Sequence, residues 1–152
     1  MLVKECTDPF HRHIKPGGYF EIQELDPRLA SDDDSTAKST IHNMCVNMCL
    51  DSLKDRGQAI PVYTQYKAWL EEEGFVDVKE YPFKIPVNTW PKDKRLKEIG
   101  KYQLMNYTEG CEAICIGLFT RVLEWQPAEI QVLLARLRAE FKDRTLHVYQ
   151  LL

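Results

Sequence analysis

The chain has 152 residues, of which 44% are hydrophobic and 28% charged, and its formal net charge is −3. This length suffices for a hydrophobic core, and we predict a single domain over residues 1–152. The lysines and arginines are scattered along a slightly acidic chain and form no basic patch that would bind nucleic acid. No apolar run approaches the length of a membrane helix, about 18 residues. We expect neither nucleic acid nor a membrane as a partner. Five cysteines, an odd number, argue against a disulfide framework and favour an intracellular location, cytoplasmic or nuclear.

The first predicted element is a strand over residues 19–25, which the turn at residues 15–18 introduces. Proline fixes φ in this turn, and two successive glycines tolerate positive φ. Aromatic and β-branched residues alternate with polar ones along the strand. Gln23 and Glu24 lie toward its carboxyl end, where open α/β sheets bind ligands, so both are candidate substrate-binding residues.

An acidic loop, Asp32-Asp33-Asp34, follows the predicted strand. Three carboxylates could bind a hard cation such as magnesium or calcium, although the other ligands of a calcium loop are absent. The favoured alternative is a helix N-terminus, whose dipole attracts negative charge. A helix is predicted over residues 36–54, and Gly57 suits its C-terminal cap.

The second half of the chain is predicted to be mostly helical. A helix from Pro61 ends before Gly74, and a second strand follows over residues 75–81. A helix begins near Lys94, with its apolar pattern interrupted at Gly110. The last helix begins at about residue 127, and residues 145–152 form a plausible final strand. The last helix has the cleanest apolar stripe, which consists of Ile130, Leu133, Leu134, Leu137 and Phe141.

Two segments reveal a resemblance to a known family. IKPGGYFEIQELD at residues 14–26 resembles the turn and fifth strand of class I S-adenosylmethionine-dependent methyltransferases. YKAWLEEEGFVDVKEYPFKIPV, which begins at Tyr66, is similar to that family's helix, Gly-Phe turn and sixth strand. Within the class, the closer resemblance is to the fungal LaeA-like methyltransferases, which cluster around secondary metabolism. The residues that carry it span nearly the whole chain in order: 15–21, 32–33, 74–78, 86, 90–93, 97–100, 119–123 and 147–149.

The resemblance implies an α/β fold with a partial Rossmann-like sheet of about three strands, the fifth to seventh of the family, and several helices. The last strand would lie antiparallel between the other two. The family's cofactor-binding half has no counterpart, since no G-x-G motif occurs among the seven glycines. We therefore expect the C-terminal, substrate-side portion of a methyltransferase, inactive alone and binding no cofactor by itself. The parent activity would be methyl transfer from S-adenosylmethionine to a small acceptor, with a protein acceptor as the less favoured alternative.

Three further residues are candidates for substrate binding. His42 begins the helix after the ligand-side loop, although a lone histidine is more often a surface or core residue. Trp90 and Tyr102 sit where LaeA-like proteins cover the substrate end of the sheet. The Trp90 side chain could equally be buried in the hydrophobic core beneath its loop. The sequence indicates no catalytic residue.

Cysteines recur at helical spacing in two places. Cys45 and Cys49 follow His42, and Cys111 precedes Cys115 by one helical turn. Such ligands could hold zinc between two helices. Cysteine is also among the most buried residue types, and both pairs lie in apolar stripes, so core packing is favoured and no metal is expected.

The missing strands predict association. The strand at residues 19–25 would be interior in the parent sheet, and here one side would be open. Tyr19, Phe20 and Ile22 would form this apolar edge, so we expect a homodimer or a hetero-complex. Three functional classes remain open: a truncated methyltransferase, a non-catalytic interaction module that uses this edge, and a cofactor-free enzyme acting on an apolar small molecule.

Overall fold

The structure is a computed structural model that describes residues 13–58, 60–61 and 63–152. Residues 1–12, Ala59 and Val62 lie outside the described residues, and Cys6 is among them. No helix in the described part of the chain is long and apolar enough to cross a membrane. The strands are β1 (Ala30–Ser31), β2 (Lys84–Pro86) and β3 (Val148–Leu151), and the α-helices are α1 (Thr40–Asp55), α2 (Gln65–Glu72), α3 (Lys94–Arg121) and α4 (Pro127–Lys142); a 3-10 helix spans Ser35–Lys38.

The three strands form one antiparallel sheet in the order β1-β3-β2. Ala30 lies opposite Tyr149 in one pair of strands, and Ile85 lies opposite Gln150 in the other. The predicted α/β class is confirmed. The last strand lies antiparallel between two others, as predicted, but its neighbours are not the two strands that were predicted, and a partial Rossmann-like sheet is not confirmed.

The strand predicted over residues 19–25 is absent, so that prediction is wrong. The side of β3 that it would have paired is filled by the next segment of chain. The Asp26 amide donates to the Leu151 carbonyl at 2.9 Å, and the Gln150 side chain donates to the Asp26 carbonyl at 2.8 Å. Further along, β1 pairs with β3, and residues 19–25 face no strand among the described residues.

The strand predicted over residues 75–81 is also wrong, because the chain enters the sheet later, at β2. Asp77 has a left-handed backbone with φ of 56°, which breaks an extended strand. Beyond it, Phe83 and Leu152 exchange two backbone hydrogen bonds of 3.0 Å. Pairing with β3 therefore begins at Phe83 and continues through β2.

Helix α1 begins at Thr40, four residues later than predicted, and its N-terminus is capped from another helix. The Glu140 carboxylate in α4 accepts hydrogen bonds from the Ile41 and His42 amides, both at 2.9 Å, and from the Ser39 hydroxyl at 2.8 Å. These bonds satisfy amide groups that a helix start leaves unpaired, and they tie α1 to α4.

Helix α3 runs unbroken through Gly110, where an interruption was predicted. A glycine inside a helix costs about 1 kcal/mol relative to alanine. Packing outweighs this cost, since Cys111, Cys115 and Phe119 are buried in the core just beyond it.

The core forms where α1, α3 and α4 pack on the sheet. The apolar stripe predicted for α4 is confirmed, since all five of its residues are buried. A capping box between Gln126 and Glu129, with Pro127 in the first turn, fixes where this helix starts. Gly57 and Gly74 adopt positive φ after α1 and α2, as helix-terminating glycines do.

Candidate functional site

One end of the sheet gathers polar side chains from all three strands. Because β3 runs antiparallel to its neighbours, its amino end lies beside the carboxyl ends of β1 and β2. β1 continues into Asp32 and Asp33, β2 leads to Trp90, and His147 precedes β3. We call Asp33, Trp90 and His147 the strand-end cluster.

A carboxylate–histidine pair forms the centre of the strand-end cluster. Nδ1 of His147 lies 2.5 Å from the Asp33 carboxylate. An ionised carboxylate only accepts hydrogen bonds, so Nδ1 carries the proton, and Nε2 of a neutral ring is left as an acceptor. The Ser35 hydroxyl donates to the other Asp33 oxygen at 2.5 Å. These bonds from Ser35 and His147 lower the pKa of Asp33 to about 2, so the carboxylate is ionised at neutral pH.

Trp90 lies beside this pair and is held in place at two points. Its indole N–H donates to the Val148 carbonyl at 2.9 Å, and its backbone amide donates to the Asn88 side chain at 2.9 Å. The indole and the His147 imidazole have centroids 5.2 Å apart. Trp90 therefore forms a fixed apolar wall next to a histidine whose side chain is 47% exposed.

A second polar group adjoins the cluster at Asp32. Lys84 donates to both oxygens of this carboxylate, at 2.9 and 2.6 Å, and the Tyr149 hydroxyl donates to it at 2.8 Å. Hydrogen bonds from Lys84 and then Tyr149 lower the pKa of Asp32. Asp32 and Asp33 therefore accept hydrogen bonds from different donors. The described residues contain no group of three ligands that could hold a metal ion.

Of the five residues predicted to bind substrate, the structure brings only Trp90 to the strand-end cluster. Gln23 and Glu24 are exposed in the segment of residues 19–25, which forms no strand, and Gln23 donates to the Glu21 side chain at 2.7 Å. Tyr102 is 57% exposed on α3.

His42 is a core residue. It is 4% exposed and packs edge-on against Tyr107 and Phe141, with ring centroids 5.8 and 5.5 Å away. Its Nε2 lies 3.2 Å from the Pro27 carbonyl oxygen. Burial lowers the pKa of His42, which favours the neutral ring.

The cysteines also belong to the core. Cys45, Cys111 and Cys115 are buried, Cys49 is half-buried, and all four are free thiols. Burial raises the pKa of Cys45 and of Cys115 to about 12. The predicted core positions are confirmed for the three buried thiols, which are inert toward chemistry that needs a thiolate.

The sequence reasoning missed the Asp33–His147 pair. The two residues are 114 positions apart, and neither is unusual alone. A signal was present, however. Asp33 follows the first strand, His147 precedes the last, and the resemblance implies that these two strands are antiparallel neighbours, which places the two side chains at one end of the sheet.

The described residues do not fit S-adenosylmethionine. Binding it requires a strand that leads into a glycine-rich turn, where backbone can approach the ligand. Of the described strands, β1 leads into aspartates and β2 into Val87 and Asn88, and neither leads into a glycine-rich turn. We therefore assign no step of methyl donation to these residues.

Comparison with known proteins gives consistent partial matches. The chain is 33% identical over 146 residues to methyltransferase pytC of Aspergillus terreus, which covers 96% of this chain and 44% of that protein. It is 25% identical to the secondary metabolism regulator laeA of Monascus pilosus, over 92% of this chain and 38% of the relative. It is also 25% identical to the protein-methionine methyltransferase laeA of Emericella nidulans, over 92% of this chain and 37% of the relative.

No family model matches the chain, and no solved structure matches it. The chain spans less than half the length of these curated relatives. Two of these fungal relatives are named as methyltransferases and one as a regulator of secondary metabolism. The match covers nearly the whole of this chain and the same ordered motifs that run through its sequence, and it fits a C-terminal portion of a fungal LaeA-like methyltransferase.

Proposed function

We propose that this chain is the acceptor side of an S-adenosylmethionine-dependent methyltransferase of fungal secondary metabolism. In its sheet, β1 would take the place beside β3 that the resemblance gives to the fifth strand of the class I fold, with β2 and β3 in the places of the sixth and seventh. His147 is the proposed general base, Asp33 the group that orients it, and Trp90 the wall of the acceptor pocket. The observation that carries the proposal is the 2.5 Å bond between His147 and Asp33 at the end of the sheet where β1 and β2 finish and β3 begins.

The chemistry assigned to this pair is removal of a proton from the acceptor. Nε2 of His147 takes the proton, and the Asp33 carboxylate stabilises the imidazolium that results, as in other carboxylate–histidine pairs. Trp90 excludes water from one face of the imidazole. The methyl donor would be held by residues other than those described.

A general base also narrows the acceptor class. One relative is named as a protein-methionine methyltransferase, and a thioether sulfur has no proton to lose. The His147–Asp33 pair is of no use to such an acceptor. We therefore infer an acceptor group that loses a proton on methylation, such as a hydroxyl or amine, and we propose that a small molecule carries it.

The test is a chimera in which this chain replaces the matched portion of methyltransferase pytC. The chimera is incubated with labelled S-adenosylmethionine and a fungal small-molecule extract, and the label is then separated into organic-soluble and protein-bound fractions. We expect organic-soluble label, reduced about 100-fold or more by His147→Gln, because general-base catalysis contributes at least that factor.

Asp33→Asn tests the orienting role, and we expect a smaller loss from it. Circular dichroism and calorimetric binding of S-adenosylmethionine establish that each chimera is folded. An active chimera that His147→Gln leaves unchanged would contradict the proposed base, and protein-bound label would contradict the acceptor class. The chain alone is expected to show no saturable binding of S-adenosylmethionine, and a micromolar dissociation constant would refute that expectation.

A second proposal is that residues 19–25 mediate association with another copy of this chain. Tyr19 is 99% exposed, and the segment pairs with no strand among the described residues. Ile22, which is half-buried, adds apolar surface to the same segment. Contiguous exposed apolar surface is uncommon on monomers, and twofold pairing is the commonest way to cover it.

A further inference from the structure

An open cleft of about 410 Å³ lies beside the strand-end cluster, at the start of α3. Three segments build it: the loop after β2, the first two turns of α3, and the turn between α4 and β3. Asn88 joins two of these segments, since its side chain donates to the Asp143 carbonyl at 3.0 Å. The cleft is lined by Thr89, Lys94, Lys97, Glu98, Lys101 and Arg144.

The positive charge of this cleft is concentrated on one face of α3. Lys94, Lys97 and Lys101 recur at spacings of three and four residues, so their side chains are neighbours. Like charges at these spacings destabilise a helix. Arg144 adds a fourth cation from the turn before β3. The chain as a whole carries a net charge of −3, so this cleft is a local exception.

None of the four cations forms an ion pair among the described residues. Each ion pair found there involves other cations, namely Arg28, Lys67, Lys84, Arg138 and His147. Two acids that adjoin lining residues in sequence, Asp93 and Asp143, are engaged elsewhere. Asp93 caps α3 by accepting the Leu96 amide at 2.9 Å, and Asp143 accepts the Thr145 hydroxyl at 2.7 Å. Glu98 is the single carboxylate of the lining.

We propose that this cleft binds a phosphate-bearing ligand. Four cations that form no ion pair within the described part of the chain surround one cavity and provide the charge that a diphosphate or phosphate ester requires, and the Thr89 hydroxyl can donate to a phosphate oxygen. The volume lies within the range of small-molecule sites. The inference is independent of the proposed methyl transfer, since it uses neither His147 nor Asp33.

The test uses inorganic pyrophosphate and isothermal titration calorimetry on the intact chain at low ionic strength. We expect saturable binding with a dissociation constant below about 1 mM, which weakens as salt is added. The double variant Lys97→Gln/Lys101→Gln should weaken binding about tenfold or more, because one charged hydrogen bond is worth at least that factor. Glu98→Gln should tighten binding several-fold, because it removes the carboxylate that repels the ligand.

The matched control is Lys54→Gln/Lys79→Gln, which changes the net charge equally at two exposed lysines outside the cleft. The proposal would be overturned if the control variant weakened pyrophosphate binding as much as the cleft variant does. It would also be overturned if the unmodified chain did not bind pyrophosphate. Phosphatidylcholine vesicles with and without a phosphoinositide distinguish the source of the phosphate. Cleft-dependent binding to pyrophosphate alone indicates a soluble ester, and cleft-dependent binding to the phosphoinositide vesicles indicates a lipid headgroup.

Discussion

At Gly100, α3 lies directly against the β2–α3 loop. A methyl group added at Gly100 would lie 2.8 Å from the Asn88 carbonyl carbon, closer still to its oxygen, and 3.3 Å from Pro86 Cβ. Carbon atoms are normally 3.5–4.0 Å apart. The obstacle is backbone, and Asn88 is itself fixed by its bonds to Trp90 and Asp143. Gly100→Ala therefore forces α3 away from the loop.

The expected loss can be worked out from two opposing effects. Overpacking of this kind costs about 1–3 kcal/mol, and a backbone obstacle places Gly100→Ala at the upper end. Replacing a helical glycine by alanine returns about 1 kcal/mol. The net loss is therefore about 2 kcal/mol, and for a chain of this length each kcal/mol shifts Tm by about 2–4 °C. We expect Tm to fall by about 4–8 °C.

Gly110 and Gly117 lie in the same helix and provide matched controls. A Cβ at either position meets no neighbouring atom within 4 Å. Gly110→Ala and Gly117→Ala should therefore raise Tm, by about 2–4 °C each, because only the helix-propensity gain remains. Thermal melts followed by circular dichroism measure all three variants. If Gly100→Ala also raised Tm, the close approach of α3 to Asn88 would be refuted.

Three further predictions concern the cysteines, the strand-end cluster and the segment of residues 19–25. Burial keeps Cys45, Cys111 and Cys115 as thiols, so they should react with a thiol reagent at pH 8 only after denaturation. Stoichiometric zinc in the purified protein would contradict their assignment as core residues. The pKa of Asp33 is lowered from 3.8 to about 2, so its bonds stabilise the fold above pH 4 and lose this effect as pH falls toward 2. The stability difference between the unmodified chain and Asp33→Asn should shrink across that window in urea titrations, and a difference independent of pH would rule the linkage out. Ile22→Lys should weaken self-association, measured by light scattering, without lowering Tm. If light scattering showed that the unmodified chain is a monomer, the proposed association through residues 19–25 would be refuted.

The helices were largely predictable because their signals are local. Apolar residues recur every three to four positions in α4, and the residues that end α1 and α2 are glycines with positive φ. The single break predicted in α3, at Gly110, was wrong because tertiary packing overrides a local cost of about 1 kcal/mol. Periodicity therefore identified which residues of α4 enter the core.

The strands were less predictable because a strand exists only where it has a partner. Residues 19–25 alternate as a strand should, yet β3 pairs with the segment that begins at Asp26. Residues 75–81 are rich in strand-forming types, yet the φ of Asp77 excludes them from the sheet. In both cases, β3 determined which residues could pair with it, and that choice is not encoded within either segment.

The same dependence on β3 explains why the sequence singled out Trp90 and missed the pair beside it. Trp90 could be placed because an exposed tryptophan in a proline-bounded loop is informative by itself. His147 and Asp33 acquire meaning only together, and they meet because an antiparallel central strand brings its amino end to the carboxyl ends of its neighbours. An aspartate after the first strand and a histidine before the last would therefore be worth testing as a pair in any chain that shares this strand order. In this protein, the proposed chemistry accordingly rests on the polar residues that flank β3 at that end, and not on the residues of the predicted strand at 19–25.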